Sequence, residues 1–426
     1  MSRIRIIITI IVVVLTTLLT GCTGKEPNEI AYVVALGIDS TDDDNYKITI
    51  QYANTTQISG GASESGGKAG SEIVDNVTIE APNIYAGVGL ANNIVSKSFS
   101  MSHAKLIVFS KEIAEKGVKD MIETLVRSEE IRPDVFIAVA NTTANDYLTS
   151  VNPEMEVNPA QYYQLIYQKN QLVGIPDGQL REFFTGLYTD NYDSILPVAG
   201  VIEGAGGNSQ NDDKGQSKDG QNEGSEGSSE SLDSFESKSS DDKDENEKEK
   251  DAEKNTSKYE YDIKNYVGGE TAIEKKNKAE AIGAAVFEKD KMVGELGEVE
   301  TEICKILKGD YTYSYLTYYN NDTPDIPITV KTTQQKKPKY KIDTDKKTVD
   351  IELYIESDLY SLPADYNVEN KIEDFERDVA NYTSSTCTKF INNFTKKYNS
   401  DILKLNEKVK YKFLTNNQYN WFKKNV

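Results

Sequence analysis

"HAKLIVFSKEIAEKGVKDMIETLVRSEEIRPDVFIAVA", residues 103–140, joins two apolar runs through a stretch of different period. Residues 103–110 and 134–140 read as strands, each holding an apolar run, 106–109 and 135–140, the pattern of strands buried on both faces. Residues 111–128 between them are helical in spacing. Working outward, residues 83–98 read as a helix, and 143–149, 159–168 and about 179–187 as three more, followed by an apolar strand at 194–201. Toward the N-terminus, Ile30 to Ile38 reads as a buried strand. Tyr46, Ile48, Ile50 and Tyr52 alternate with polar neighbours, as in a strand with one wet face. The Asp-rich turn between these two predicts a hairpin, and residues 59–71 a Gly/Ser loop. A hairpin followed by alternating helices and strands implies an α/β domain with a mixed sheet over 30–203.

Residues 204–257 are dominated by Gly, Ser, Asn, Asp, Glu and Lys, with Leu232 and Phe235 the only large apolar side chains. Such a segment cannot bury enough apolar surface to offset the entropy of ordering, so it reads as a disordered acidic insertion. A middle domain is expected over 258–324, with a hairpin at 279–296, a helix at 298–309 and a strand at 310–319 carrying Tyr311, Tyr313 and Tyr315 on one face. A C-terminal domain over 325–426 should hold three strands, at 325–333, 339–345 and 347–357, and one long helix over 368–398. At roughly 31 residues that helix would run about 46 Å and cross the whole sheet. Ile372, Phe375, Val379, Cys387, Phe390, Ile391, Phe394 and Tyr398 form its apolar stripe, with Cys387 a buried thiol. The fold class expected is α+β, three domains on mixed or antiparallel sheets with packed helices.

The 426 residues suit two or three domains with real cores. A net charge of −21 disfavours nucleic acid and charge-driven binding to an anionic membrane. Three cysteines and a single histidine are too few for a disulfide framework or a Cys/His metal cluster. Arg3 and Arg5 precede the apolar run Ile6 to Leu19, a basic n-region and an h-region. The run is roughly 14 residues, short of the ~20 needed to span a bilayer, so residues 1–21 read as an export signal. Leu19-Thr20-Gly21-Cys22 then looks like the lipobox of bacterial lipoproteins. Cys22 would take a diacylglyceryl group and become the mature N-terminus, with residues 22–29 as a tether. Loss of Arg3 and Arg5 leaves the mature chain more acidic still. A plain signal peptide and a short uncleaved anchor are the competing accounts.

Residues that look catalytic are scarce. His103 has Ser102 beside it, but no nucleophile elbow, P-loop or dinucleotide fingerprint is present, and Gly87-Val88-Gly89 lacks a third glycine. His103 reads as a structural hydrogen-bonding residue, and neither an enzyme nor a metal site nor a cofactor beyond the lipid on Cys22 is expected.

Several stretches together resemble the C-subunit lipoproteins of spore germinant receptors, the Ger(x)C family. They are Cys22 with "NEIAYVVALGID", the run "SFSMSHAKLIVFS…DVFIAVA" with Arg127 and Arg132, "AIGAAVFEKDKMVGELGEVET" and "YNSDILKL" near Asp401. In the third, Gly283, Ala285, Phe287, Asp290, Lys291, Gly294 and Leu296 carry the likeness. The resemblance implies a non-enzymatic, three-domain lipoprotein on the outer face of the inner spore membrane. Its partners would be two polytopic membrane subunits, and the assembly would answer small nutrient germinants. The insertion at 204–257 is unusually long for the family, and after Trp421 its members usually continue into a further strand, which implies an open sheet edge.

Arg127 and Arg132 flank Glu129 and Glu130, so they are expected either to pair with these on the surface or to contact a membrane subunit. The alternative reading of the chain is a solute-binding lipoprotein of a transporter, which would need two similar α/β lobes and a hinge.

Overall fold

The first buried run folds as β1 (Ile30–Ser40), and it is central because seven of its eleven residues in a row are buried. A computed structural model describes residues 3–10, 26–43, 45–53, 74–153, 156, 158–168, 174–189, 192–202, 265–271, 277–318, 327–361 and 372–425. The lipobox, the 59–71 loop and the 204–257 insertion lie outside the described residues.

β2 (Tyr46–Ala53) pairs antiparallel with β1 and with β3 (Val74–Ala81), giving the hairpin a third strand. On its other side β1 runs parallel to β5 (Leu106–Ser110), then β6 (Phe136–Ala140) and β7 (Ile195–Val201). The antiparallel hairpin β8 (Ala279–Glu288) and β9 (Lys291–Leu296) completes the sheet. The order is β3-β2-β1-β5-β6-β7-β8-β9. The residues expected to open a separate middle domain thus extend the first sheet, because β8 finds its backbone partners along β7.

Helices cover both faces. α1 (Ile84–Ala91), α2 (Lys111–Lys116), α3 (Lys119–Val126) and α6 (Leu180–Tyr188) enclose one core; α4 (Ala144–Ser150) and α5 (Pro159–Gln168) enclose the other. Two helical stretches are shorter than their spacing suggests. The 111–128 stretch breaks at Gly117, whose φ of +124° no helix accommodates. The 83–98 stretch stops at Ala91, and Ser98–Ser100 become β4, parallel to Ile30–Tyr32. The second core carries buried phenols that would be costly unpaired. Tyr147 and Tyr167 hydroxyls meet at 2.9 Å, and the Tyr163 hydroxyl donates to Gln51 at 2.6 Å.

The second half differs from expectation in three ways. β10 (Tyr313–Tyr318), β11 (Ile328–Asp343) and β12 (Thr348–Ser361) form a separate antiparallel sheet, with the first two strands expected at 325–345 fused into the single β11. Tyr313 and Tyr315 share a face, but Tyr311 precedes the strand and is buried, its hydroxyl bonded to Thr332. The long helix, α8 (Ile372–Lys397), has 26 residues; residues 368–371 lie outside the described ones. Cys387, Phe390 and Phe394 are indeed on its buried stripe, whereas Ile372 is exposed. They pack chiefly against α7 (Glu298–Lys308) and the β8–β9 hairpin, in one core with Cys304 and Leu307. α8 therefore braces the first sheet and leaves a groove of about 1100 Å³ against β12. Nothing here resembles paired lobes: a nine-stranded mixed sheet and a three-stranded meander are the two sheets of the described residues.

Lys305 on α7 is only 5% exposed, and burial pushes its ammonium down to about 8 from the ordinary 10.5. Between those values the unfolded chain binds more protons than the fold, so this group makes stability rise as pH climbs from 8 toward 10.5. Urea midpoints at pH 7.5 and 9.5 should show that gain in the wild type and lose it in Lys305→Met; an unchanged slope in the variant would refute the assignment.

Candidate functional site

Most residues that carry the sequence motifs are consumed by the fold. Asp39, closing the Gly-Ile-Asp of β1, accepts the Ala144 and Asn145 N–H groups at 2.6 and 3.0 Å and so holds the start of α4. Its carboxyl is raised by burial, against which those two hydrogen bonds work. His103 lies edge-on to Tyr32, ring centroids 4.7 Å apart, with Nδ1 3.0 Å from the Ser102 hydroxyl. Tyr398 packs against Gly294, where a Cβ would sit 2.2 Å from the ring, and Ser400 donates to the Phe287 carbonyl at 2.8 Å. Asp401 accepts from Leu405 and Asn406 N–H at 2.8 and 2.7 Å, turning the chain into α9 (Leu405–Lys410).

The surface left over is a groove of about 730 Å³ between α1 and the end of α3. Its floor is the buried Val88, Phe99 and Met101. Its rim is mostly polar: exposed Tyr85 lines it beside Asn92, Thr124, Arg127, Ser128, Glu129 and Glu130. At Gly89 an added Cβ would meet nothing within 4 Å, so this flank of α1 is open. Asn83 fixes the start of α1 by accepting from Ala86 N–H at 2.9 Å, and Asn92 accepts from Phe99 N–H at 2.7 Å. Those two side chains hold the groove's walls in place.

The two arginines separate here. Arg127 lines the groove and donates to Glu123 at 2.7 Å; the hydroxyl of Tyr188, and Arg127 itself, hold the Glu123 carboxyl below its ordinary value. Arg132 makes a two-pronged pair with Asp134 at 2.9 and 3.0 Å and does not line the groove. Neither pairs with Glu129 or Glu130 as expected. Glu130 instead accepts from the Met101 N–H at 2.5 Å, fastening the groove's floor. The exposed rim went unread in the sequence, although the signal was there: Ile84, Tyr85, Val88 and Leu90 put apolar groups on more than one side of an eight-residue helix.

The groove also has a position along the chain. Phe99 is the middle residue of β4 and Met101 follows it, and β4 pairs with Ile30, Ala31 and Tyr32 at the start of β1. Cys22 lies eight residues before Ile30, so an extended tether reaches at most about 29 Å.

Residues 24–201 match the model for the spore germination protein N-terminal domain, and residues 282–426 match that for the spore germination B3/GerAC like, C-terminal domain. The chain belongs to the Ger(x)C family of spore germination proteins. Among curated proteins of Bacillus subtilis (strain 168), this Ger(x)C chain is 26% identical to spore germination protein KC over 38% of its own length and 43% of that protein. It is 28% identical to the putative spore germination protein YfkR over 34% and 37%, and 26% identical to spore germination protein B3 over 32% and 36%. The aligned stretch thus spans less than half the length of each of these relatives. The crystal structure of the GerBC protein aligns with 92% of this chain and 90% of its own, at 14% identity and a TM-score of 0.46. Among the described residues no helix is long and apolar enough to cross a membrane.

Proposed function

We propose that this Ger(x)C protein is the lipid-anchored C subunit of a spore germinant receptor, a non-enzymatic component that works with two polytopic membrane subunits in the response to nutrient germinants. In this reading the lipid on Cys22 holds the chain on the outer face of the inner spore membrane, and the α1–α3 groove receives a membrane subunit. The observation that carries it is the placement of a groove with an apolar floor and a polar rim beside the start of β1, within a short tether's reach of the lipid. An apolar floor of Val88, Phe99 and Met101 inside a polar rim is the composition of a protein-binding surface. Arg127 stands on that rim, as a contact residue would; Arg132 sits outside the groove and is a weaker contact.

Capture of the tagged protein from spore membranes tests both parts. Two polytopic proteins should travel with the wild type, and Tyr85→Glu with Gly89→Glu should cut their recovery at least tenfold without shifting the unfolding temperature. Recovery of no polytopic protein would overturn the subunit reading. Full recovery by the double variant would move the docking surface elsewhere. Reversing Arg127 alone should impair germination more than reversing Arg132 alone, scored by loss of spore refractility; equal effects would remove Arg127 from the interface.

A further inference from the structure

α9 and α10 (Asn416–Asn425) form a short helical hairpin whose inner seam is Val409 and Tyr419, both buried, with the Phe413 ring 6.1 Å from that of Tyr419. The chain turns between the helices through residues 411–415, and the Thr415 hydroxyl accepts from the Gln418 N–H at 3.3 Å to start α10. With the seam filled, Tyr411 and Leu414 are left outside at 84% and 95% exposure, the two barest large apolar side chains among the described residues. Single exposed apolar residues are ordinary on a protein surface, but these two stand in a basic setting. Residues 408–426 hold five lysines and no Asp or Glu, in a chain of net charge −21. Lys404 and Lys408 lie over the rings of Tyr192 and Tyr340, at 4.2 and 4.6 Å, and so face the body of the protein. Glu407, the one carboxylate of α9, faces the same way and adds to burial in raising the Tyr192 phenol. Lys410, 5.9 Å from the centre of the Tyr419 ring, and Lys412 flank Tyr411. Among the described residues neither of these two forms an ion pair within 4.0 Å.

The corner's place on the sheet gives this pattern a direction. β1, β5, β6 and β7 run parallel, with Ile38, Phe109, Val139 and Val198 level across them, so the starts of β1 and β7 lie at one edge. The tether from Cys22 enters at that edge, at Ile30. Asp193, just before β7, accepts from the Asp401 N–H at 2.9 Å, and Asp401 in turn holds the start of α9. α9 has six residues, about 9 Å of helix, so its far end stays near this edge. Tyrosine and lysine together suit the boundary between headgroups and acyl chains, where an ammonium reaches phosphate and an apolar side chain reaches hydrocarbon. Charge acts on a bilayer over roughly 8 Å at physiological salt, so the lysines at the corner count and distant carboxylates do not. We propose that the α9–α10 corner is a second membrane contact, with Tyr411 and Leu414 entering an anionic lipid surface and Lys410 and Lys412 against its phosphates. Four side chains cannot retain the chain; the contact fixes the orientation of one already held by its lipid, and in that it rests on the anchor proposed above.

The test uses the full-length chain with Leu414→Trp and Trp421→Phe, which leave residue 414 the only tryptophan. Asp42→Trp with Trp421→Phe is the control, since Asp42 is exposed and follows the end of β1 at the opposite edge of the sheet. Each chain is mixed with vesicles of brominated phosphatidylcholine, alone or with about one-third phosphatidylglycerol, and quenching of tryptophan fluorescence is measured. With phosphatidylglycerol present, the Leu414→Trp chain should be quenched at least threefold more than the control. Adding Lys410→Gln and Lys412→Gln should remove most of that difference without moving the unfolding temperature, as should roughly 0.5 M KCl. Equal quenching in the two chains, no dependence on phosphatidylglycerol, or undiminished quenching in the lysine variant would overturn the proposal. Equal quenching is also the result expected if the corner meets a membrane protein instead of lipid. Only the lipid composition changes between the two vesicles, so the outcome does not turn on whether Cys22 is acylated, which palmitate labelling reads separately.

Discussion

Replacing Cys22 by alanine is expected to abolish lipid labelling and membrane retention together. The chain carries a net charge of −21, so an anionic bilayer repels it, and no helix among the described residues is long and apolar enough to cross a membrane. On the proposed reading, retention then rests on acyl chains. Each buried methylene contributes about 0.8 kcal/mol, and one chain gives only marginal binding while two anchor stably. Loss of the thiol removes the attachment of the diacylglyceryl group and with it the whole of that term, so the effect should be all or nothing. Metabolic labelling with radioactive palmitate and fractionation of spore membranes would read it out. A substituted protein still labelled and still retained would refute the lipid anchor.

Asp193→Ala should be the most damaging single substitution outside the apolar cores, at about 3–5 kcal/mol. Its carboxylate accepts from the Lys289 N–H at 3.0 Å and the Asp401 N–H at 2.9 Å, and its own N–H donates to the Asp401 carbonyl at 3.2 Å. One side chain thereby ties the entry to β7, the β8–β9 turn and the corner after α8. Hydrogen bonds to a charged group are worth about 1.5–3 kcal/mol each, and truncation would leave two backbone donors half-buried without an acceptor. Around the same turn, Ser400 and Asn399 bond to Phe287 and Glu288, so undocking here should release the whole 398–405 corner. Urea unfolding should show a lower midpoint, and limited proteolysis new cleavage near residue 400. A loss below about 1 kcal/mol would show that the neighbouring bonds suffice without it.

What could be read in advance follows from the range of the interactions involved. Strands such as 106–110 and 136–140 announce themselves because each is a short run rich in apolar and β-branched residues, too short for a helix and suited to a strand buried on both faces. The stripe Phe375, Val379, Cys387, Phe390, Phe394 is legible for a similar reason, being a local repeat at helical spacing. Where two elements meet is a different matter. Nothing near residue 279 says that β8 will extend a sheet begun at residue 30, since that pairing is made of backbone groups that every sequence carries. The two strands expected at 325–333 and 339–345 are one, β11, whose ladder with β12 passes residues 334–339 through bulges. Arg127 and Arg132 were picked as a pair by spacing, yet Glu123 on α3 and Asp134 before β6 claim them separately.

The sequence by itself determined the buried strands and the helical stripes, both of which depend on side-chain chemistry repeated over a few residues. Only the tertiary structure decided that β8 extends the sheet begun by β1 and that Asp39 holds the start of α4. Those outcomes depend on which surfaces meet across more than a hundred residues of chain, and such meetings are settled by packing and hydrogen-bond satisfaction that no local pattern encodes.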